Sequence, residues 1–302
     1  MNNLKNEISV ICFGEVLFDV FPTHKKIGGA PLNVALRLSS LGINAQIISR
    51  IGNDEIGTEL LTYVQKNGIN PIFIQIDPHL ETGQVIVKLN DKGSASYTIK
   101  YPVAWDKIRC NPEIENAVKR ADAFVFGSLV CRDVTSCNTL LELINYATYK
   151  IFDVNLRAPF YKKKILIRLM LQSDFIKFND DELFEICAFL HSPYHSLEQN
   201  IIFIAEQTNT SQICVTKGDH GAVLYHNGKM FYNSGFKIKV IDTVGSGDSF
   251  LAALLSKLLK ENNPQEAINF ACAMGALVAT NEGANPKIPE KKIKQFINPS
   301  HV

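Results

Sequence analysis

Much that would mark a chain for a specialised role is missing from this one. There is no C-x-x-C pair: the seven cysteines (Cys12, Cys110, Cys131, Cys137, Cys187, Cys214 and Cys272) are scattered and odd in number. That argues against a disulfide framework or a zinc site and fits a reducing cytoplasm. Cys12 and Cys214 fall inside apolar runs, where a thiol serves as a small core side chain. No apolar run approaches the ~18 residues of a membrane-spanning helix, and the opening "MNNLKNEISV" lacks the layout of a secretory signal. Charge of one sign is missing too. Lys and Arg number 31 against 30 Asp and Glu, and the longest basic run, Lys162-Lys163-Lys164, reads as a solvated helix start. A nucleic-acid surface is not expected, nor a membrane one; the partners expected are soluble small molecules or further copies of the chain. No repeat, low-complexity tract or linker divides the sequence. No G-x-G-x-x-G follows the first apolar run, where "CFGEVLFD" (12–19) stands instead, so a dinucleotide dehydrogenase is not expected.

What is present is ordinary globular composition, 46% hydrophobic and 20% charged, in a chain of 302 residues that can bury a large core. Short apolar runs alternate with helical patterns. Strands are expected at 8–13, 45–51, 123–127, 151–154, 175–178, 213–216 and 222–225. Helices are expected at 31–41, 55–67, 134–148 and 180–190, and after Asp248 and Pro264. Pro31 suits a first helical turn, and Gly42 and Gly68 suit helix stops. The alternation predicts an α/β fold, a mostly parallel central sheet flanked by helices. One segment breaks the rhythm. "TGQVIVKLNDKGSASYTIKY" (82–101) reads as a hairpin, strands at 84–89 and 94–101 around Asn90-Asp91-Lys92-Gly93. Such an insertion either extends the sheet edge or stands off it as a flap. One domain over 1–302 with an inserted β element is expected.

Five short stretches carry chemistry. In "GEVLFDVFPTHKKIGGAPLNVA" (14–35), Gly28-Gly29 lets the backbone approach a ligand closely, and Asp19 and Asn33 are suited to grip hydroxyls. The same pair of glycines also suits a plain turn. In "DVNLR" (153–157), Arg157 follows a strand, where ligands of open α/β sheets bind. In "KFNDDEL" (177–183), Asn179 and Glu182 form either a capping box or a pair that organises hydrated Mg²⁺. In "TKGDHGA" (216–222), Gly218 and Gly221 bound a tight turn that either joins two strands or lies against a nucleotide. In "DTVGSGDSF" (242–250), Gly245, Ser246 and Gly247 open a helix, a ready anion site, with an acid, Asp248, set into it. Asp248 is either a first-turn helix acid or a reacting group.

In their order along the chain these stretches resemble the ribokinase-like, phosphofructokinase-B type sugar kinases. "GGAPLNVALRLSSLG" is similar to that family's N-terminal signature and "DTVGSGDSFLAALL" to its C-terminal one; "NDDE" is similar to its N-x-x-E and "TKGDHGA" to its T-x-G-x-x-G turn. The resemblance covers nearly the whole chain. "GEVLFD", "GGAPLN" and "DVNLR" look most like the fructokinases. Two departures stand out: Ser246 where alanine is usual, and Lys100-Tyr101 in "YTIKYPVAWD" where many fructokinases carry Tyr-Arg.

The resemblance implies a kinase that transfers the γ-phosphoryl group of ATP to a sugar hydroxyl, fructose before 2-keto-3-deoxygluconate or another sugar or nucleoside. A sugar sensor on the same fold is the alternative of a different class. It implies Asp248 as the base and the N–H groups of Gly245, Ser246 and Gly247 as the hole for the developing charge. Asp19, Gly29, Asn33, Tyr101 and Arg157 would meet the sugar. Asn179, Thr216, Gly218, Gly221 and Gly247 would meet the nucleotide, with "ATNEGA" (279–284) near the adenine. Glu182 would organise Mg²⁺ through water and Asp242 would help hold a monovalent cation such as K⁺. Residues 82–106, with part of 15–28, would form a β lid and offer a homodimer contact. The dipole of the helix behind Asp248 is expected to keep that acid ionised.

Overall fold

A computed structural model of the chain describes residues 7–89, 95–260 and 263–299. The chain begins with β1 (Ser9–Phe13), β2 (Leu17–Val20), β3 (Lys25–Gly28), α1 (Ala30–Ser40), β4 (Asn44–Gly52), α2 (Glu55–Lys66) and β5 (Ile74–Asp77). It continues through β6 (Gly83–Leu89), β7 (Ala95–Ile99), α3 (Pro112–Arg120), β8 (Ala123–Gly127), α4 (Val134–Leu143) and β9 (Lys150–Asp153). Then come α5 (Lys163–Leu171), β10 (Phe175–Asn179), α6 (Asp180–Phe189), α7 (Leu197–Thr208) and β11 (Gln212–Thr216). It closes with β12 (Ala222–His226), β13 (Lys229–Asn233), α8 (Ser246–Leu258), α9 (Pro264–Ala279) and α10 (Glu290–Ile297).

The main sheet has nine strands in the order β13-β12-β11-β10-β9-β8-β1-β4-β5. All neighbours are parallel except β11–β12 and β12–β13. Successive residues of β1 serve opposite faces, as the pleat requires. Val10 and Cys12 pack into a core with Leu38 of α1, Leu251 of α8 and Met274 of α9. Ile11 and Phe13 join the other core, with Phe126, Phe152, Leu140 of α4 and Leu183 of α6. The expected layering of helix, sheet and helix is therefore observed. The sequence order leaves β1 toward β4 on one side and returns to β8 on the other, so a crevice opens beyond the carboxyl ends of β1 and β8.

The inserted hairpin does not extend this sheet. β6 and β7 pair with each other, and β6 pairs with β2 in a separate four-stranded sheet, β3-β2-β6-β7. β2 and β3 were too short to stand out as strands; β2 is held between β6 and β3. The turn Asn90-Asp91-Lys92-Gly93, with Ser94, lies outside the described residues. The standing-off sheet also ends earlier than 106. Trp105 and Asp106 are fully buried in the main body. Arg132 donates to both Asp106 oxygens at 2.7 and 2.8 Å, and its guanidinium lies 3.8 Å over the Trp105 ring.

Helix α4, expected to reach 148, closes at Leu143 because tighter i−3 bonds, such as Tyr146 N–H to Leu143 C=O at 3.0 Å, take over. All seven cysteines are free thiols. Among the described residues no helix is long and apolar enough to cross a membrane.

Candidate active site

Two helices start at the crevice with the same device. α8 is preceded by Gly245, whose φ of 73° is left-handed and whose missing Cβ leaves room for Ala284. α1 is preceded by Gly29 at φ 108°, where a Cβ would strike the carbonyl oxygen of Glu15. Neither helix has a side-chain cap on its first N–H groups. Side chains across the gap connect the two. Asn33 of α1 donates to Asp248 Oδ2 of α8 at 2.8 Å and accepts from Asn285 Nδ2 at 2.8 Å. Below them Arg37, buried, donates to Ser249 Oγ at 3.1 Å and to the Pro286 carbonyl at 3.0 Å.

At the start of α8 the three N–H groups expected to form an anion hole are not used alike. The Ser246 N–H is already given to the Thr243 carbonyl at 3.2 Å, and its hydroxyl to the Gly275 carbonyl at 3.0 Å. The N–H groups of Gly245 and Gly247 have no partner among the described residues. So two of the three expected donors face outward; the third is spent on closing the turn. Asp248 stands beside them, half-buried. Burial, with Asp153 adding to it, pushes its carboxyl up to about 6, against the opposing pull of Asn33, Lys177 and Arg157. Loss of water outweighs the helix dipole that was expected to keep this acid ionised. Asp248 is still mostly ionised at neutral pH.

Behind the hole lies a charge cluster. Lys177 of β10, 6% exposed, donates to Asp153 Oδ1 at 2.9 Å. A Cβ on Gly247 would lie 3.6 Å from its ammonium nitrogen. Burial works against that charge, yet Asp153 and Glu182 hold Lys177 protonated far above the ordinary lysine range. Asp153 Oδ2 is buried and has no partner.

Glu182 is the capping box that its spacing allowed. Its N–H bonds Asn179 Oδ1 at 2.7 Å, and its Oε2 accepts the Asn179 N–H at 2.8 Å. Oε1 accepts the Leu156 N–H at 2.8 Å, so the same carboxylate ties α6 to the "DVNLR" loop. Burial raises its pKa. Asp242 accepts N–H groups from Val244 and Gly283, each at 3.0 Å, and an ion pair from Lys26 at 3.3 Å. Those bonds outweigh burial and hold it below the ordinary carboxylate value. A monovalent cation at Asp242 would share it with Lys26. Among the described residues no group of three or more His, Cys, Asp or Glu is placed to hold a metal directly.

Four of the five residues expected to meet a nucleotide come together. Thr216, Gly218, Gly221 and Gly247 line one cavity of about 300 Å³. Asn179 is not among its walls; it stays at the α6 cap. The residues expected to meet the sugar come from several elements. Asp19 of β2 is pushed up to about 6 by burial, with Arg157 and Lys26 opposing and Asp242 adding to the shift. Arg157 is exposed, and its guanidinium donates to the Leu156 carbonyl at 2.9 Å. Tyr101, 57% exposed, donates its hydroxyl to Asp133 at 3.1 Å and packs beside Arg132.

The sequence matches the pfkB family carbohydrate kinase pattern over residues 3–291. The chain belongs to the pfkB family of carbohydrate kinases. It is 29% identical to fructokinase-1 of Zea mays over 320 residues, covering 95% of this chain and 97% of that one. It is 28% identical to probable fructokinase-6, chloroplastic, of Arabidopsis thaliana over 315 residues, covering 94% and 80%. Its fold is that of a solved fructokinase of Xylella fastidiosa with bound ATP, at a TM-score of 0.87, 22% identity, and coverage of 98% and 100%.

Several residues at the crevice were not singled out from sequence. Lys177, Asp153 and Asn285 earn their places only through partners 24 or more residues away. The apolar side of the cavity, Phe236, Ile238 and Val240 before α8 with Cys272 and Ala276 on α9, was also missed. The α9 part had a signal: Cys272, Ala276 and Ala279 recur at helical spacing as small residues on one face.

Proposed function

We propose that this kinase is an ATP-dependent fructokinase in which Asp248 is the base. The observation that carries the reading is the single turn at 245–248. It sets a carboxylate that is mostly ionised at neutral pH and two unpartnered N–H groups next to a cavity that Ser246 and Gly247 line. The sugar hydroxyl gives its proton to Asp248, whose other side is held by Asn33. Charge growing on the transferred phosphoryl group is met by the Gly245 and Gly247 N–H groups, with the Lys177 ammonium behind them. Asp153, with its partnerless oxygen, and Glu182 are the residues that would hold the waters of a Mg²⁺ ion accompanying ATP, which supplies neutralisation of phosphate charge. K⁺ beside Asp242 remains part of the reading, in company with Lys26.

The small sheet is the lid that covers the sugar and excludes water. Its edge strands β3 and β7 are where a second copy would dock in a homodimer. Seven scattered thiols support a cytoplasmic setting.

Fructose is favoured over an acid sugar by charge. Ala30 follows Gly29, so that loop offers no cation, and Lys100 is paired with Glu81 at 3.4 Å. The names of the plant relatives point the same way. With Mg·ATP, kcat/KM for fructose exceeds that for 2-keto-3-deoxygluconate by at least about tenfold, a preference of ~1.4 kcal/mol. A coupled ADP assay with both sugars measures it; the reverse ratio would remove fructose and leave the kinase.

A further inference from the structure

Asn285 has no part in the reading so far. It lies between α9 and α10, 252 positions from the Asn33 that it touches. Its segment braces the start of α8 at three successive residues. Ala284 fills the space that Gly245 leaves open. Asn285 donates to Asn33 Oδ1 at 2.8 Å, and Asn33 donates to Asp248 Oδ2 at 2.8 Å. The Pro286 carbonyl accepts from Arg37 at 3.0 Å, and Arg37 also donates to Ser249 Oγ at 3.1 Å. Asn33 and Arg37 are one helical turn apart on the same face of α1, so they form two parallel rungs from α8 to this segment. The lower rung sets the spacing; the upper one reaches the acid.

The upper rung has a polarity. An ionised carboxylate only accepts, so the amide facing Asp248 must present its NH₂ side. That turns Asn33 Oδ1 toward a group that must donate, and Asn285 donates. With either amide turned over alone, two acceptors or two donors would meet. The Oδ1 of Asn285 itself is buried with no hydrogen-bond partner. Holding that acceptor without a bond is costly, so packing alone does not account for an amide here.

We propose that Asn285 is a positioning residue for phosphoryl transfer: its amide fixes the direction of the Asn33 amide, so that Asn33 pins Asp248 Oδ2 and leaves the other oxygen for the sugar hydroxyl. The proposal rests on the reading of Asp248 as the base.

Other groups face Asp248 and stay in place when Asn285 is changed. Asp153, on β9, raises its pKa; Lys177, on β10, and Arg157, beyond β9, lower it, as the Asn33 bond does. Glu15, after β1, repels it when ionised. Loss of the Asn33 bond therefore moves the Asp248 pKa further up from about 6.

The test measures kcat and KM for fructose and for Mg·ATP from pH 5 to 9, beside melting curves at pH 5.5 and 8. If fructose is not turned over, the fastest acceptor among ribose, tagatose, adenosine and 2-keto-3-deoxygluconate replaces it. Asn285→Leu removes the donor, so Asn33 is free to turn. Its acid limb moves up by about half a pH unit and its kcat falls about tenfold, with the KM for ATP unchanged. Asn285→Asp keeps the shape but only accepts, which turns Asn33 over; its limb moves up by about one unit or more. In an Asn33→Ala background, Asn285→Leu changes neither limb nor kcat, because the residue acts only through Asn33. Where that background is too slow to follow, the fall in melting temperature from pH 5.5 to 8 is read instead. That fall is steeper in Asn285→Leu than in wild type, and Asn285→Leu does not steepen it further in Asn33→Ala. An acid limb that stays in place in both Asn285 variants would overturn the proposal, and so would an effect of Asn285→Leu that persists in full without Asn33. If Asn285→Leu does not fold, the limb of Asn285→Asp decides. Asp248→Asn run in parallel separates the two readings. If that variant keeps wild-type kcat, Asp248 is not the base and the proposal falls with it. If it is inactive while the Asn285 limbs stay in place, the proposal alone falls.

Discussion

Helices α1 and α8 begin alike and are used in opposite ways. Each starts after a glycine at positive φ and each lacks a side-chain cap. At α1 Pro31 removes one of the first-turn N–H groups, and Gly29 is forced by the Glu15 carbonyl behind it. At α8 two N–H groups are left unmet at the cavity, and an acid is set next to them. One helix start is packed against backbone and carries Asn33 toward Asp248. The other is left open beside the cavity. The difference is not in the local backbone rule, which is shared, but in what the rest of the fold brings opposite. An unsatisfied helix terminus is a liability when buried and an anion site when it faces a ligand.

The largest effect comes from the open end. Asp248→Asn keeps the shape and the Asn33 contact but cannot accept a proton, so kcat falls about 10³–10⁴-fold. ATP binding and the melting temperature stay near wild type. Steady-state kinetics and ATP titration by calorimetry measure both; unchanged kcat would make Asp248 an ordinary first-turn acid and erase the contrast.

Matched glycine replacements sharpen it. Gly245→Ala drives a Cβ into Ala284 and turns the N–H groups away from the cavity, so kcat falls about 10²–10³-fold, as when an oxyanion donor is lost. Gly29→Ala meets backbone instead and strains a conformation open to glycine, at about 1–3 kcal/mol. Its main readout is a melting temperature lower by roughly 2–4 °C for each kcal/mol. Equal losses of kcat in the two variants would show that both helix ends are open to substrate.

The smallest effect is in pH. Asp19 and Asp248 are raised to about 6, so in the folded state they favour the protonated form. Their contribution to stability is fully present below the unfolded value near ~4 and is lost as pH rises through 6. Asp54, Asp77, Asp133 and Asp242 are held low by N–H bonds, hydroxyls and cations, and contribute the other way, losing stability as pH falls through their lowered values. Stability therefore peaks in mild acid, while kcat/KM rises through about pH 6 as Asp248 ionises. Melting temperatures about 2–4 °C higher at pH 5.5 than at pH 8, set against a pH–rate profile climbing over the same interval, would bear this out. Parallel curves would mean that the site acids are not the ones setting stability.

How much of this was legible beforehand depends on the range of each interaction. The alternation of apolar runs with helical patterns determined the layered α/β fold, because period 2 and period 3.6 are local properties of the chain. The spacing in "NDDE" determined the Asn179–Glu182 box, a bond across three residues. "GSGD" determined an open helix start with an acid in it, since glycine and the first turn are neighbours. The tertiary structure alone decided the rest. It spent the Ser246 N–H on Thr243, raised Asp248 by burial against the pull of the helix dipole, and gave Tyr101 to Asp133. It moved the hairpin into a sheet of its own by pairing it with β2, more than sixty residues back. It also assembled Glu15, Asn33, Asp153, Lys177 and Asp248 around one point. Charge, burial and hydrogen-bond competition depend on which groups arrive from far along the chain, and no window of sequence contains them together.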